Sequence, residues 1–240
     1  MRRSPSIHPL LLLCLWLPAA VGAPVPGERA ERMEERTVQS EAFLNAHPDM
    51  KYRNQGWAAH EAGDFPAAVN AFRQAAMFGD KASQALLAEL FWQGKGVPQD
   101  RARAYVWSDL AAERGYPQLL AVREHYWAGL DEAERERALA IGRELYAEYG
   151  DDVALPRLAK HLMRARRSMA GGRPNRGADV HVRDAGGRWV KIPGHYFYSA
   201  TLWEPARYQQ WEDEKWMPPR EGRVQVGDPV PVARPSEQQP

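Results

Sequence analysis

The sequence predicts a mainly α fold: an α/α superhelical solenoid of helix pairs, with a small β-containing appendage near the C-terminus. Three observations carry that prediction. From Glu28 to about Met169 the chain is rich in Ala, Glu, Arg and Leu and spaces its apolar residues three and four apart, as short amphipathic helices do. The same stretch is self-similar at 35 or 36 residues: Ala75-Ala76 with Gly79 recurs as Ala111-Ala112 with Gly115, Gly150 follows, and Phe72 is matched by Trp107. A period of that length marks helix pairs that bury their apolar faces only by stacking on their neighbours. After Met169 the composition changes at "AGGRPNRG", and β-branched and aromatic residues take over.

Residues 1–23 read as a cleaved export leader. Arg2 and Arg3 supply the positive end, "LLLLCLWL" the apolar stretch, and Val21-Gly22-Ala23 a small-residue cleavage site before Pro24. The apolar run lies between Pro9 and Pro18, far short of the roughly 20 residues a spanning helix needs. No transmembrane anchor is therefore expected after processing, and the protein is expected in the periplasm or secreted. Cys14 is the single cysteine of the sequence and lies in the leader, so the mature chain is expected to hold together by packing, without disulfides or thiolate chemistry. Losing Arg2 and Arg3 takes Lys+Arg from 32 to 30 against 31 acids, a balance of −1. Bulk charge points to neither nucleic acid nor an anionic membrane.

Residues 24–169 are read as the helical repeat domain. Its clearest unit contains "SQALLAELFWQ", an amphipathic helix that Gly94 can end in the left-handed conformation. Gly96, Val97 and Pro98 make the turn, and Asp100 is placed to cap the next helix. There Ala104, Trp107 and Ala111 fall on one face; the alanines admit a neighbouring helix and Trp107 fills the space between units. Gly115 closes the helix, as Gly79 and Gly150 are expected to do in the adjoining units. An earlier unit includes Gly63, and a later one keeps Gly129 and Gly150 but has Tyr146-Ala147 in place of the paired alanines.

Ala85, Leu86, Gly94, "GVPQD" at 96–100, Ala104, Trp107, Ala111-Ala112 and Gly115 together resemble the Sel1-like repeat family, relatives of tetratricopeptide repeats. The likeness covers one unit well, roughly residues 82–117, within about three units flanked by further helices. It implies an α/α superhelix of the bacterial exported type that presents a concave surface to protein or peptide partners. Some members of that family carry disulfides and some are described as binding β-lactam compounds; a mature chain without cysteine departs from the first of these.

Residues 170–233 are read as a β-β-α-β segment: two strands about the turn "DAGG", a helix in "SATLWEPARYQQWEDEKW" capped by Ser199, and a last strand in "GRVQVGDPVPV". Residues 234–240 are expected to be a disordered tail. Trp189, Tyr196, Phe197, Tyr198, Trp203, Trp211 and Trp216 are expected to form the core of this segment and its seam with the solenoid.

Candidate chemistry is sparse. The Gly94-Lys95-Gly96 loop lacks the strand and the GK[ST] ending of a phosphate loop. Asp179, His181 and Arg183 share a strand face, and His181 with His195 offers two metal ligands without a third. Glu204, Glu212, Asp213 and Glu214 read as a solvated acidic face, and Arg164, Arg166, Arg167, Arg173 and Arg176 as cations suited to a helix end and linker. No catalytic residue, cofactor or metal is assigned. The expected function is a non-enzymatic scaffold or adaptor for a protein or peptide partner in the cell envelope. Tyr52, Trp57, Trp92, Tyr105 and Tyr126 are the candidate contact residues; these and Phe91 are read as either exposed contacts or core. The alternatives are an envelope enzyme or ligand-binding protein with a site between the C-terminal segment and the solenoid, using His181 and His195, or a cell-wall polysaccharide module using the aromatic patch.

Overall fold

In the computed structural model the described residues are 26–169 and 176–217; the leader, the expected last strand and the tail lie outside them. Helices α1 (Pro26–Val38) and α2 (Glu41–Ala46) lead into the repeats. Two close pairs follow, α3 (Pro48–Glu61) with α4 (Phe65–Ala76) and α5 (Lys81–Gln93) with α6 (Arg101–Ala112). The third unit, α7 (Pro117–Gly129) and α8 (Glu132–Tyr149), is splayed: both helices pack on α6 more than on each other. Tyr146 stands in α8 where the earlier units have Ala75 and Ala111, and its hydroxyl reaches Asp109 of α6 at 2.9 Å. This is the α solenoid that the sequence predicts.

Local chemistry sets the joints. Asp64, Asp80, Asp100 and Asp131 each cap a helix, the side chain accepting from the backbone N–H three residues on. Gly94 ends α5 at φ +69°, and Gly96, at φ +73°, lies so close to the Phe65 carbonyl carbon that a Cβ would sit 2.4 Å from it. Gly63, Gly79 and Gly115 also take positive φ. Gly150 does not close its helix in that way. At φ −62° and ψ 154° it is extended, and α9 starts at the next residue. Gly129 is the last residue of α7, where a Cβ would meet the Trp92 ring at 2.9 Å, so close approach is its role.

The solenoid core gathers Phe72, Leu87, Phe91, Ala104, Trp107, Leu110 and Tyr149, with Trp107 1% exposed. Ala111 lies in a smaller cluster with Ala112, Tyr116 and Leu119. Helix α9 (Asp151–Met169) then passes from α8 toward α2, and strands β1 (Asp179–Arg183) and β2 (Trp189–Pro193) form an antiparallel hairpin with Val180 opposite Ile192 and Val182 opposite Val190. Three short helices follow: α10 (Gly194–Phe197), α11 (Ala200–Trp203) and α12 (Pro205–Glu214).

The single helix expected from Ser199 onward is thus two. Pro205 has no N–H and holds Glu204 extended, at φ −92° and ψ 119°, which breaks the run. Ser199 precedes α11 without a side-chain cap bond. A second core joins α2 and α3 to α9 and the C-terminal segment: Phe43, Ala46 and Met50 pack with Leu158 and Leu162 of α9 and with Val182, Ile192, Phe197, Leu202, Trp203 and Tyr208. The C-terminal segment therefore shares its core with α2, α3 and α9.

Candidate functional site

A trough of about 750 Å³ lies between α3, α4 and the C-terminal end of α8. Its floor follows from the two faces of α4. Ala68, Val69, Phe72, Ala75 and Ala76 are buried against the solenoid core, which leaves Ala67, Asn70, Ala71 and Gln74 as one stripe at i, i+3, i+4 and i+7. Tyr52 and Gln55 of α3 form one wall, and Glu148 and Tyr149 the other.

The second wall is fixed from behind. Gln84 donates to the Tyr149 carbonyl at 3.1 Å, and the Tyr149 ring meets Trp107 edge-on at 4.7 Å. Arg157 of α9 donates to the Met77 carbonyl at the end of α4 and, through both terminal nitrogens at 3.2 Å, to the Glu148 carbonyl. One guanidinium thereby ties the two helix ends whose separation sets the width of the trough.

Along this surface Tyr52, Gln55, Asn70 and Gln74 make no side-chain hydrogen bond to another described residue. Each amide carries both a donor and an acceptor, the pair that a peptide group also presents. Arg73 lies 5.6 Å from the Phe91 ring centroid, with Arg103 at 5.7 Å on the same ring, and has no carboxylate partner among the described residues. No lining residue is a histidine, cysteine or serine. The chemistry on offer is hydrogen bonding, one cation and one carboxylate.

The candidate aromatics separate. Tyr52 lines the trough. Trp57 is 42% exposed on α3, edge-on to His60 and Phe72. Trp92 stacks on Tyr126 at 4.3 Å, with the Arg101 guanidinium 4.6 Å from the Trp92 ring centroid, and Tyr105 packs on Trp127 at 4.8 Å. These three join units to each other. His181 and His195 are both exposed, Asp179 pairs with Lys191 at 2.6 Å, and no group of metal-ligating side chains occurs among the described residues.

Between the C-terminal segment and the solenoid the structure has a closed polar seam. Tyr208 donates to Asp49 at 2.6 Å; Arg53 pairs with Asp80 at 2.6 Å and with Glu212 at 3.3 Å; Lys215 donates to Glu212 at 2.8 Å. Glu212 is therefore buried, against the expectation of a solvated acidic face, because α12 turns that side toward Arg53. Asp213 likewise accepts from Tyr116, whose ring stacks on Trp216 at 5.6 Å. The cavity here is about 10 Å³, too small for a ligand.

Burial, with Glu212 nearby, pushes the Asp49 carboxyl up to about 7. Burial would also raise Glu212, but Arg53 and Lys215 hold it below its ordinary value. His47, packed between Phe43, Trp203 and Tyr208, is pushed down to about 4 by burial, while the Phe43 and Leu202 carbonyls facing its two nitrogens pull the other way.

A further hub went unread in the sequence. Lys81 is 2% exposed and donates to the Leu110 carbonyl and Glu113 at 2.8 Å, with Asp151 at 3.0 Å. Arg114 forks onto Asp151 at 2.8 and 3.0 Å and reaches the Gly79 carbonyl. Burial would raise Asp151, yet Arg114 and Lys81 keep it low. The sequence did carry a signal: a lysine in the first turn of a helix opposes the macrodipole and needs a compensating partner.

No family profile matches the chain, and comparison with curated proteins gives no match. Among solved structures it is similar to a protective antigen of uropathogenic Escherichia coli described as displaying an SLR fold. The identity is 19% and the TM-score 0.41, over 56% of this chain and 33% of the antigen. The chain thus spans about a third of that antigen's length. The solenoid description rests on the helix pairs and their packing.

Proposed function

We propose that this chain is an exported Sel1-like repeat scaffold whose trough receives an extended segment of a partner protein. One observation carries the reading: Gln55, Asn70 and Gln74, without side-chain partners among the described residues, line a groove with an alanine floor, beside a cation that has no carboxylate partner among those residues. Small floor residues let a main chain approach, and side-chain amides can serve its peptide groups without regard to sequence. The repeat joints support the family assignment, since Gly94, Gly96, Asp100, Ala104, Trp107 and Ala111 have the turn, cap and packing roles that the motif calls for. Export rests on the Arg2–Ala23 leader, and no described helix is long and apolar enough to cross a membrane.

Selection from a random peptide library on the full mature chain tests the groove. Selected peptides should lose roughly tenfold or more in affinity for Asn70→Arg with Gln74→Arg, about 1.4 kcal/mol, while the variant's melting is little changed because both positions are exposed. Peptides that bind this variant as well as the original would remove the groove from consideration. Export has its own check: N-terminal sequencing should place the mature start after Ala23.

A further inference from the structure

The outer face of α9 shows a second built surface, separate from the trough. Its last three turns carry Lys160, Arg164, Arg166 and Arg167, all exposed and none paired with a carboxylate among the described residues. Beside them Met163 is 46% exposed. Toward the start of the helix an apolar slot of about 350 Å³ opens between Leu155, Pro156 and Ala159 of α9 and Pro205 and Ala206 of α12, with Leu158 at its base. That volume is near the lower end of pockets that hold ligands, about 300 Å³.

Helix electrostatics account for only part of this. A C-terminal macrodipole amounts to about half a negative charge, and Asp152 at the other end completes the favourable pattern. Four cations exceed it. Lys160 and Arg164 are i, i+4 neighbours and Arg164 and Arg167 are i, i+3, so like charges repel along this face in the free protein. An anionic partner would relieve that repulsion. The apolar element is a recess, which suits a partner that inserts a side chain; a bilayer would call for a protruding apolar face, and Met163 is the single exposed large hydrophobic on α9.

We propose that this face docks an acidic polypeptide segment, one apolar side chain of which enters the slot while its carboxylates lie along Lys160, Arg164, Arg166 and Arg167. The surface is independent of the trough. The probe is a short fluorescein-labelled peptide of alternating Glu and Leu, titrated by anisotropy against the full mature chain. Binding should weaken as salt is added. It should fall roughly tenfold or more in Lys160→Glu with Arg164→Glu, fall similarly in Ala159→Trp, which fills the slot with the charges intact, and persist in Asn70→Arg with Gln74→Arg. If Ala159→Trp fails to fold by circular dichroism, Ala206→Trp fills the slot from the α12 side. Absence of binding at low salt overturns the proposal, and so does binding indifferent to slot filling. Displacement of the peptide by phosphatidylglycerol vesicles would assign the face to a membrane and overturn it equally.

Discussion

Between α4 and α8 the core is alanine, leucine and aromatic side chains packed around Trp107, whereas the seam beneath α12 buries Asp49, Asp80, Tyr208 and Glu212 around a partly buried Arg53. The first region is stabilised by volume filled. The second depends on the number of protons and charges it encloses, since three carboxylates face Arg53 and Lys215 and one of the three, Asp49, retains its proton up to about pH 7. A void should therefore be the worst injury to the core, and a change in charge or pH the worst injury to the seam.

The largest expected effect is on the core. Trp107→Ala removes the biggest fully buried side chain from the joint between α6 and α8, where it meets Tyr149, and should cost about 3–5 kcal/mol. Urea midpoints should show that loss equally at pH 5 and pH 8, because the site titrates nothing. A loss that changed with pH would erase the contrast between the regions.

The seam should respond to pH in a way that hides itself. The folded chain keeps the Asp49 proton up to about pH 7 while the unfolded chain releases it near 3.8, so this stabilisation is full at low pH and is lost as pH rises through 7. His47 works oppositely: its folded value of about 4 lies below 6.5, so its contribution is full above 6.5 and is lost as pH falls to 4. The spans correspond to about 4 and about 3 kcal/mol and overlap between pH 4 and 6.5. The unmodified protein should thus have a nearly flat stability profile in that window. Asp49→Asn should leave a profile that rises with pH, and His47→Gln one that falls. Flat profiles in both variants would show that neither group is perturbed by the seam.

This contrast also explains what could be read from the sequence. The central repeat was legible because its determinants are local: Gly94, Asp100, Ala104, Trp107 and Ala111 act within one turn or one helix face. The seam was not, because Asp49 meets Tyr208 across 159 residues and Glu212 looks like any other acid on a polar helix until Arg53 is opposite it. The aromatic candidates show the same limit. Periodicity identified Tyr52, Trp92 and Tyr126 as large residues on helices, but whether each faces solvent or a neighbouring unit depends on how α5 and α7 approach, and Gly129 decides that by admitting the Trp92 ring. The trough was missed because its floor is alanine and amide, residue types with no distinctive pattern.

Arg157 ties the ends of α4 and α8 and gives the smallest effect, though the most specific. It lies on α9, is not itself a lining residue of the trough, and serves the Met77 and Glu148 carbonyls at the ends of α4 and α8. Arg157→Ala should cost about 1–2 kcal/mol in stability, since two carbonyls lose charged donors but lie near water. Its effect on peptide affinity should be disproportionate, because the α4 floor that carries Gln74 and the wall formed by Glu148 and Tyr149 are then free to separate. Arg157→Lys discriminates charge from geometry: an ammonium keeps the positive charge but lacks the planar fork that reaches both carbonyls. If the trough is the binding site, Lys should restore most of the stability and little of the affinity. Equal recovery of both would mean that Arg157 acts through charge alone and that the width of the trough does not govern what it holds.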